Sequence, residues 1–492
     1  MASPISALRW VLFSSIGFRI VSLGGMMLII RLVDKDEFGL YRAVVTMHMI
    51  CLTLLPLGLD TLVVREKAMM KRYAMASATA LGVMGFVMAA LSAVLLLIGD
   101  PMTGGVIGRW FELEETPGLV DQAWVLWVMP LIFLAQAAKL SIRSVHNARM
   151  NFRQISLGEL GNGLITWIGG ATVCLLYPSS GALLILYLLG ELFEAWWFFR
   201  GQRFRLGLLG PQGLGIAWLF LKRNFHYCWT NTADLTLNNV ASLIPLILIG
   251  TEISLSAATD YSVALQVVVL PTMLMAGALW RVSFPTLSGV GEEELQRRCL
   301  SITRSASAYI APTVIWFGTF SATTVFFLAG EDMMHTAAPL VPWVSTYMVL
   351  TAIFTPISSL DMIRNKPHVG LIWNIFYTIG RVIILYTMAP DGLLATVAAL
   401  AMFSTAFWVI QVACLYALLG AEPRRFFGSF GPLIPLQLAL VAGYIVCLWI
   451  TNSHLFWAPV LSLFPSALYA WALVKFFPDQ GRLILRIVNR KS

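Results

Sequence analysis

Long apolar runs alternate with short polar segments along the whole chain, which is the pattern of a polytopic helical membrane protein. A run of about 20 apolar residues, rising ~1.5 Å per residue in a helix, crosses a hydrocarbon layer of ~30 Å. The pattern therefore predicts an all-α protein with fourteen transmembrane helices. The predicted spans are 8–31, 39–63, 74–98, 122–143, 157–177, 181–200, 226–250, 256–284, 305–329, 335–360, 367–388, 391–420, 431–451 and 455–477.

Positive charges support this count, because most of the 33 Lys and Arg residues fall in every second loop. Lys139, Arg143, Arg149 and Arg153, for example, follow one another from the end of the fourth span into the loop before the fifth. The long loop at 99–121, on the other face, is acidic. Since Lys and Arg concentrate in cytoplasmic loops, we expect both ends of the chain to be cytoplasmic.

Two weak internal matches predict a repeat. A shift of 220 residues places Leu40-Tyr41 on Asp260-Tyr261, and a shift of about 211 places Ile168-Gly169 on Ile379-Gly380. Together with a Gly-rich linker at mid-chain, they predict two six-helix lobes in a pseudo-twofold arrangement, plus two C-terminal helices. The predicted domains are an N-lobe at 1–200, a cytoplasmic linker with an amphipathic segment at 201–225, a C-lobe at 226–420, and helices 13 and 14 with a basic cytoplasmic tail at 421–492.

The composition excludes several classes of protein. Apolar residues make up 58% of the chain and charged ones 12%, against about half and about a quarter in a soluble domain. The six cysteines are scattered, without CxxC or Cys/His spacing, so no metal site is expected. The net charge of +8 comes without a basic stripe interleaved with aromatic residues, so nucleic acid is not an expected partner.

No P-loop, HExxH or GxSxG motif occurs. The sequence therefore predicts a protein that is not an enzyme and has no cofactor beyond a coupling ion, H+ or Na+. An outer-loop polymerase, ligase or acyltransferase and a non-catalytic scaffold are weaker alternatives. The enzyme would be recognised by longer glycan products from purified protein and lipid-linked units.

Polar side chains inside spans are the functional candidates, because hydrocarbon penalises them. Arg19 lies midway along the first span and Arg381 midway along the eleventh. A planar guanidinium binds phosphate or diphosphate through paired charge-assisted hydrogen bonds. Two alternatives remain open: Arg19 forms an internal salt bridge to Asp234 or a glutamate, and Arg381 extends its charge to the membrane surface.

The span that begins at 226 is the most polar. Asn231, Asp234 and Asn238 share one helical face, with Asn239 beside them. This stripe either bonds neighbouring helices or lines a path for sugar hydroxyls. Asp234 is also a candidate for coupling to H+ or Na+, because a desolvated carboxyl group titrates nearer to neutral pH.

Three further glutamates lie in the fifth and sixth spans. Glu159 is the second ion-coupling candidate, with pairing to Arg153 as the alternative. Glu191 and Glu194, near Arg200, are predicted to pair with cytoplasmic arginines rather than to couple an ion. Arg281, at the end of the eighth span, is a substrate-binding candidate at the inner mouth of the pathway.

Three segments resemble Wzx-type polysaccharide flippases of the MOP group, which also holds the MATE drug exporters and the lipid II flippases. They are RLVDKDEFGLY at 31–41, IRSVHNARMNFR at 142–153 and WRVSFPTLS at 280–288. The resemblance implies a MATE-like fold and a multi-pass protein of the bacterial inner membrane. It also implies a function, the flipping of undecaprenyl-diphosphate-linked oligosaccharide by alternating access.

On that resemblance, the diphosphate is expected at Arg19 and Arg381, and the sugars along the stripe from Asn231 to Asn239. The expected partners are the lipid-linked oligosaccharide, membrane lipids, a polysaccharide polymerase and a chain-length regulator. A lipid II flippase and a cation-coupled MATE-type exporter are the alternatives. The exporter is disfavoured because MATE proteins resemble one another in placing acidic residues in the helix-1 region, where this chain has Arg19.

Overall fold

The computed structural model describes most of the chain, and all regular secondary structure in the described residues is helical. These residues are 4–52, 70–99, 127–148, 151–200, 215, 218–219, 222–223, 225–287, 291–358, 360–364, 366–418, 420, 428, 431 and 433–477. The predicted all-α multi-pass class is confirmed.

The first half of the chain forms seven described α-helices. They are α1 (Pro4–Leu32), α2 (Lys35–Leu52), α3 (Met70–Gly99), α4 (Met129–Ala148), α5 (Phe152–Gly163), α6 (Gly170–Cys174) and α7 (Ser180–Phe199). A π-helical turn, Leu164–Gly169, joins α5 to α6. Ser179 caps α7, since its side chain accepts a hydrogen bond from the backbone N–H of Ala182.

The second half begins with two long helices. They are α8 (Phe225–Glu252) and α9 (Leu255–Leu287). The remaining helices are α10 (Glu292–Thr319), α11 (Ser321–Ala329), α12 (Glu331–Thr336), α13 (Val341–Phe354), α14 (Leu360–Ile363), α15 (Pro367–Met388), α16 (Leu393–Leu418), α17 (Leu433–Ile450), α18 (Trp457–Leu461) and α19 (Leu463–Phe476).

Within the described residues, seven helices or continuous helical stretches are long and apolar enough to cross a membrane. The pair α10 and α11, bent by 76°, makes an eighth if it forms one span. Shorter apolar helices occur at Ile20–Leu32, Leu81–Val94, Met129–Leu140 and Leu255–Val269. Several spans are thus confirmed, whereas the count of fourteen stays a prediction.

Contacts divide the chain into two compact units with limits other than those of the predicted lobes. The first contains residues 1–259 and 370–390, and the second contains 260–369 and 391–492. Helix α8 and most of α15 therefore belong with the first half of the chain. The predicted lobe boundaries stay a prediction.

In the first unit, α7 packs against α2, α4 and α5, and α1 runs along α5 and the π-helical turn. Glycine allows the closest approaches. A Cβ at Gly25 of α1 would lie 2.5 Å from Cβ of Trp167 in the π-helical turn. Small residues let membrane helices pack backbone to backbone in this way.

In the second unit, α10 packs against α13 and α17. An apolar core that includes Cys299 of α10 and Tyr416 of α16 lies beside α13. Hydrogen bonds link the C-terminal stretch of α18 and α19 to α10. Trp316 Nε1 donates to Ser462 Oγ at 2.8 Å, and Tyr469 OH donates to the carbonyl of Ala308 at 3.0 Å. The C-terminal helices are therefore an integral part of this unit.

Candidate functional site

Helices α8 and α15 of the first unit are joined by hydrogen bonds from polar side chains of α15 to one side chain and two backbone carbonyls of α8. The donors recur along α15 at intervals of four and three residues, and the acceptors along α8 at intervals of three and four. The spacing on α15 keeps its three donor side chains on one helical face, and the spacing on α8 keeps the acceptors on the side of that helix next to α15. The hydrogen bonds run from Asn374 Nδ2 to Asp234 Oδ1 (2.8 Å), from Thr378 Oγ1 to the Leu237 carbonyl (3.3 Å) and from Arg381 Nη1 to the Ala241 carbonyl (2.6 Å).

Arg381 is the charged member of this interface. Its side chain is buried, with the residue 2% exposed, and the guanidinium carbon lies 5.2 Å from the centroid of the Tyr377 ring. An aromatic face and a carbonyl dipole both stabilise a buried cation. The guanidinium therefore occupies a desolvated place between α8 and α15.

The rest of the predicted stripe on α8 is more open. Asn238 is exposed, Asn239 is half-buried, and Asp234 is partly buried against Asn374. The side chain of Asn231 lies outside the described residues. Part of the stripe thus joins helices, which is one of the two roles that the sequence left open.

The backbones of Arg19 and Arg281 are described, on α1 and α9, but their side chains lie outside the described residues. Near position 19, α1 contacts α5 closely, since a Cβ at Gly17 would lie 2.9 Å from Cδ2 of Leu160. The roles of Arg19 and Arg281 stay predictions.

Glu159 forms an ion pair, but with Arg143 of α4 in place of the expected Arg153. The two side chains are 25% and 34% exposed. The carboxylate of Glu159 is therefore matched by one cation at a partly solvated position. Its assignment as an ion-coupling residue stays a prediction.

A buried polar cluster at the contact of α4, α5 and α7 was not predicted as a site. Lys139 Nζ lies 2.5 Å from Glu191 Oε2 and 3.3 Å from Glu194 Oε2. Asn162 Nδ2 donates to Glu191 Oε1 at 3.1 Å and to Glu194 Oε2 at 2.7 Å. Thr166 Oγ1, from the π-helical turn, donates to Asn162 Oδ1 at 3.0 Å.

The expectation that Glu191 and Glu194 pair with cytoplasmic arginines is wrong in its partner. Both glutamates are paired with Lys139, which the sequence pattern places at the basic end of the fourth span. Lys139 lies within α4, nine residues before its end at Ala148. A signal was present, because Glu191 and Glu194 share a helical face directly after Gly190, where close helix contact is easiest.

Comparison with known proteins shows the protein family to which the chain belongs. A family model described as polysaccharide biosynthesis protein matches residues 28–337, more than half of the chain. No curated protein sequence matches the chain.

Solved structures show the fold. The lipid II flippase MurJ, in an inward closed conformation, is similar with a TM-score of 0.74 and 12% identity, over 96% of this chain and 99% of that one. An inward-facing multidrug resistance MATE family transporter gives 0.62 and 13%, over 82% and 94%. A MOP superfamily transporter from Pyrococcus furiosus, with a binding pocket of reverse polarity, gives 0.56 and 13%, over 85% and 96%. The predicted MOP-type fold is confirmed.

Proposed function

Because the chain belongs to the polysaccharide biosynthesis protein family, we propose that it is a flippase for undecaprenyl-diphosphate-linked oligosaccharide. It moves this lipid from the inner to the outer leaflet of the bacterial inner membrane, with both chain ends in the cytoplasm. The observation that carries the proposal is the family match over residues 28–337 in a chain with a MOP-type fold. Such a protein acts on lipid-linked glycan at the membrane.

The diphosphate is the most demanding part of this substrate, because its charges must leave water. Arg381 supplies a guanidinium already desolvated within the first unit. Arg19 supplies a second one from α1, and Arg281 attracts the anionic group at the inner mouth. Paired N–H donors of arginine match phosphate oxygens better than the point charge of lysine does.

The sugars bind along the stripe of Asn231, Asp234, Asn238 and Asn239. Asn238 is exposed and Asn239 half-buried, so their amides are open to hydroxyl groups. Amides donate and accept at once, which suits sugar hydroxyls of either orientation. The lipid tail stays in the bilayer and needs no polar site.

Transport proceeds by alternating access. The hydrogen bonds between α8 and α15 hold Arg381 against the Ala241 carbonyl, so separation of these helices exposes the guanidinium to the diphosphate. An inside-negative potential favours outward movement of an anion, by about 2.3 kcal/mol per charge per 100 mV. Return of the empty protein is coupled to H+ or Na+, with Asp234 and Glu159 as the candidate residues. Glycan transfer and polymerisation are left to partner proteins, a polymerase and a chain-length regulator.

A substrate panel tests this function. Purified protein in lipid vesicles is given undecaprenyl-diphosphate-linked oligosaccharide, lipid II or a cationic drug, and appearance of each on the opposite side is measured. We expect fast movement of the oligosaccharide lipid. Lipid II is the second candidate, since the MurJ structure matches 96% of the chain. Movement of the drug alone would contradict the proposal.

A further inference from the structure

The buried cluster of Lys139, Glu191 and Glu194 contains one cation and two carboxyl groups. The three residues are 8%, 3% and 2% exposed. If both carboxyl groups are ionised, the cluster has a net charge of −1 in a region that excludes water. Burial of an uncompensated charge is strongly unfavourable, whereas a neutral ion pair with its hydrogen bonds satisfied is tolerated.

No further cation is available within the described part of the chain to balance the second carboxylate. Lys139 is the one cation there within ion-pair distance of either glutamate. Arg143 on the same helix is paired with Glu159. Arg42 of α2 has interactions of its own. The other titratable or charged groups described around the cluster are Arg42 and His48 of α2, Arg143 of α4 and Tyr187 of α7.

The hydrogen bonds and the ion pair with Lys139 together leave one carboxylate oxygen without a partner among the described residues. Glu191 Oε1 and Glu194 Oε2 accept from Asn162, and Glu191 Oε2 is against Lys139. Glu194 Oε1 is buried and has no hydrogen-bond partner among the described residues. A proton added at this oxygen breaks none of the existing contacts, whereas a proton on any other oxygen would face an N–H donor.

We propose that Glu191 and Glu194 together bind one proton, at a buried site closed by Lys139 and Asn162. The proton comes from bulk water and leaves the cluster neutral, as one ammonium, one carboxylate and one carboxylic acid. Because the two carboxyl groups share Lys139 and Asn162, the proton belongs to the pair rather than to one residue. This site is separate from Asp234 and Glu159, which the sequence indicated for ion coupling.

The site also acts on the π-helical turn. Asn162 bonds both glutamates through Nδ2 and accepts through Oδ1 from Thr166, which lies within Leu164–Gly169. Loss of the proton restores the net charge of −1 and leaves Glu194 Oε1 as a charged acceptor that needs a donor. Because Asn162 supplies the donors to both glutamates, its own bond to Thr166 weakens. π-Helical turns often occur where helices rearrange at functional sites. Deprotonation therefore loosens this turn.

Infrared spectroscopy of the full chain in lipid nanodiscs tests proton binding. The C=O stretch of a carboxylic acid is separate from the carboxylate bands and shifts in deuterium oxide. We expect such a band in the wild type at neutral pH, and its loss in both Glu194→Gln and Glu191→Gln, since either variant leaves Lys139 with a single carboxylate. Glu293→Gln is the control and keeps the band, because the side chain of Glu293 is 93% exposed and remains a carboxylate at neutral pH.

Hydrogen exchange of residues 164–169 tests the second part. The protection of these amides, after correction for the intrinsic rise of the exchange rate with pH, should fall in the wild type at alkaline pH, and Glu194→Gln, which mimics the protonated pair, should abolish that fall. His48→Gln should keep it. This control is needed because His48 is buried with both ring nitrogens lacking a hydrogen-bond partner among the described residues.

Three results would overturn the proposal. They are a wild-type spectrum without a deuterium-sensitive carboxylic acid band, an unchanged band in both Glu191→Gln and Glu194→Gln, or loss of the pH effect on exchange in His48→Gln. The first decides the question even if neither Gln variant folds. None of these readouts involves transport. The proton site and the proposed flippase function therefore stand or fall separately.

Discussion

The side-chain amide of Asn374 lies 2.8 Å from Oδ1 of Asp234 and joins α15 to α8. Replacing Asn374 by leucine removes the donor and leaves the partly buried carboxyl group without it. Interhelical hydrogen bonds in membranes contribute about 0.6 kcal/mol on average and up to about 1.7 kcal/mol. We expect Asn374→Leu to destabilise the protein by about 1–2 kcal/mol in detergent unfolding. Asn238→Leu, at an exposed position of α8, is the control and should leave stability unchanged.

Substitution of Arg381 tests whether transport needs the planar shape of the guanidinium between α8 and α15 or only its charge. Lysine keeps the charge but has no planar fork to reach the Ala241 carbonyl while stacking on Tyr377. Because these contacts are lost, we expect Arg381→Lys to reduce transport about tenfold or more. A tenfold change corresponds to about 1.4 kcal/mol of lost interaction free energy. Arg364→Lys, in a partly exposed pair with Glu292, should transport normally. Normal transport by Arg381→Lys would show that charge alone suffices.

Gly190 sets the separation of α5 and α7. A Cβ at this position would lie 2.5 Å from Oδ1 of Asn162 and 3.2 Å from its backbone oxygen. Gly190→Ala must push α7 away from the residues that Glu191 and Glu194 contact. The expected cost is about 1–3 kcal/mol, as for other overpacked sites.

Gly82→Ala is the matched control, because nothing lies within 4 Å of a Cβ there. It should be neutral or stabilising by up to about 1 kcal/mol, since alanine favours helix. Thermal unfolding of both variants in the same detergent makes the comparison. Equal stability of the two would show that α5 and α7 do not meet as described.

Two neighbouring ion pairs should differ sharply in their effect on stability. Lys139→Met leaves two buried carboxyl groups without their cation, and breaking such a buried pair costs about 3–5 kcal/mol. Glu159→Gln breaks a partly exposed pair, which contributes about 1 kcal/mol or less. Unfolding in detergent should therefore show a large loss for Lys139→Met and a small one for Glu159→Gln. A larger loss for Glu159→Gln would contradict the burial described for α4.

The class of fold and the family could be predicted from sequence, because hydropathy and loop charge depend on residues close together in the chain. The MOP resemblance in the segment at 31–41 agrees with the family match and the fold. The contact of Lys139 with Glu191 joins residues 52 positions apart, and no local pattern encodes it. The sequence placed Lys139 on the fourth helix, but its charge was counted with the basic inner segment and not as a partner of Glu191.

The interface of α8 and α15 was predicted in part. Asp234 of the predicted stripe on α8 accepts a hydrogen bond from α15, whereas Asn238 of the same stripe is exposed; on α15, Arg381 alone was predicted as a site residue. Asn374 and Thr378 were not recognised, because one amide and one hydroxyl in an apolar span do not change its hydropathy. Whether they form interhelical hydrogen bonds depends on the helix that faces them.

The most direct test of the flippase site is transport of undecaprenyl-diphosphate-linked oligosaccharide by Arg19→Ala and Arg381→Ala in vesicles. The account predicts that each variant is folded and inserted like the wild type but moves no more of this lipid than protein-free vesicles do. Full activity of both variants would contradict it.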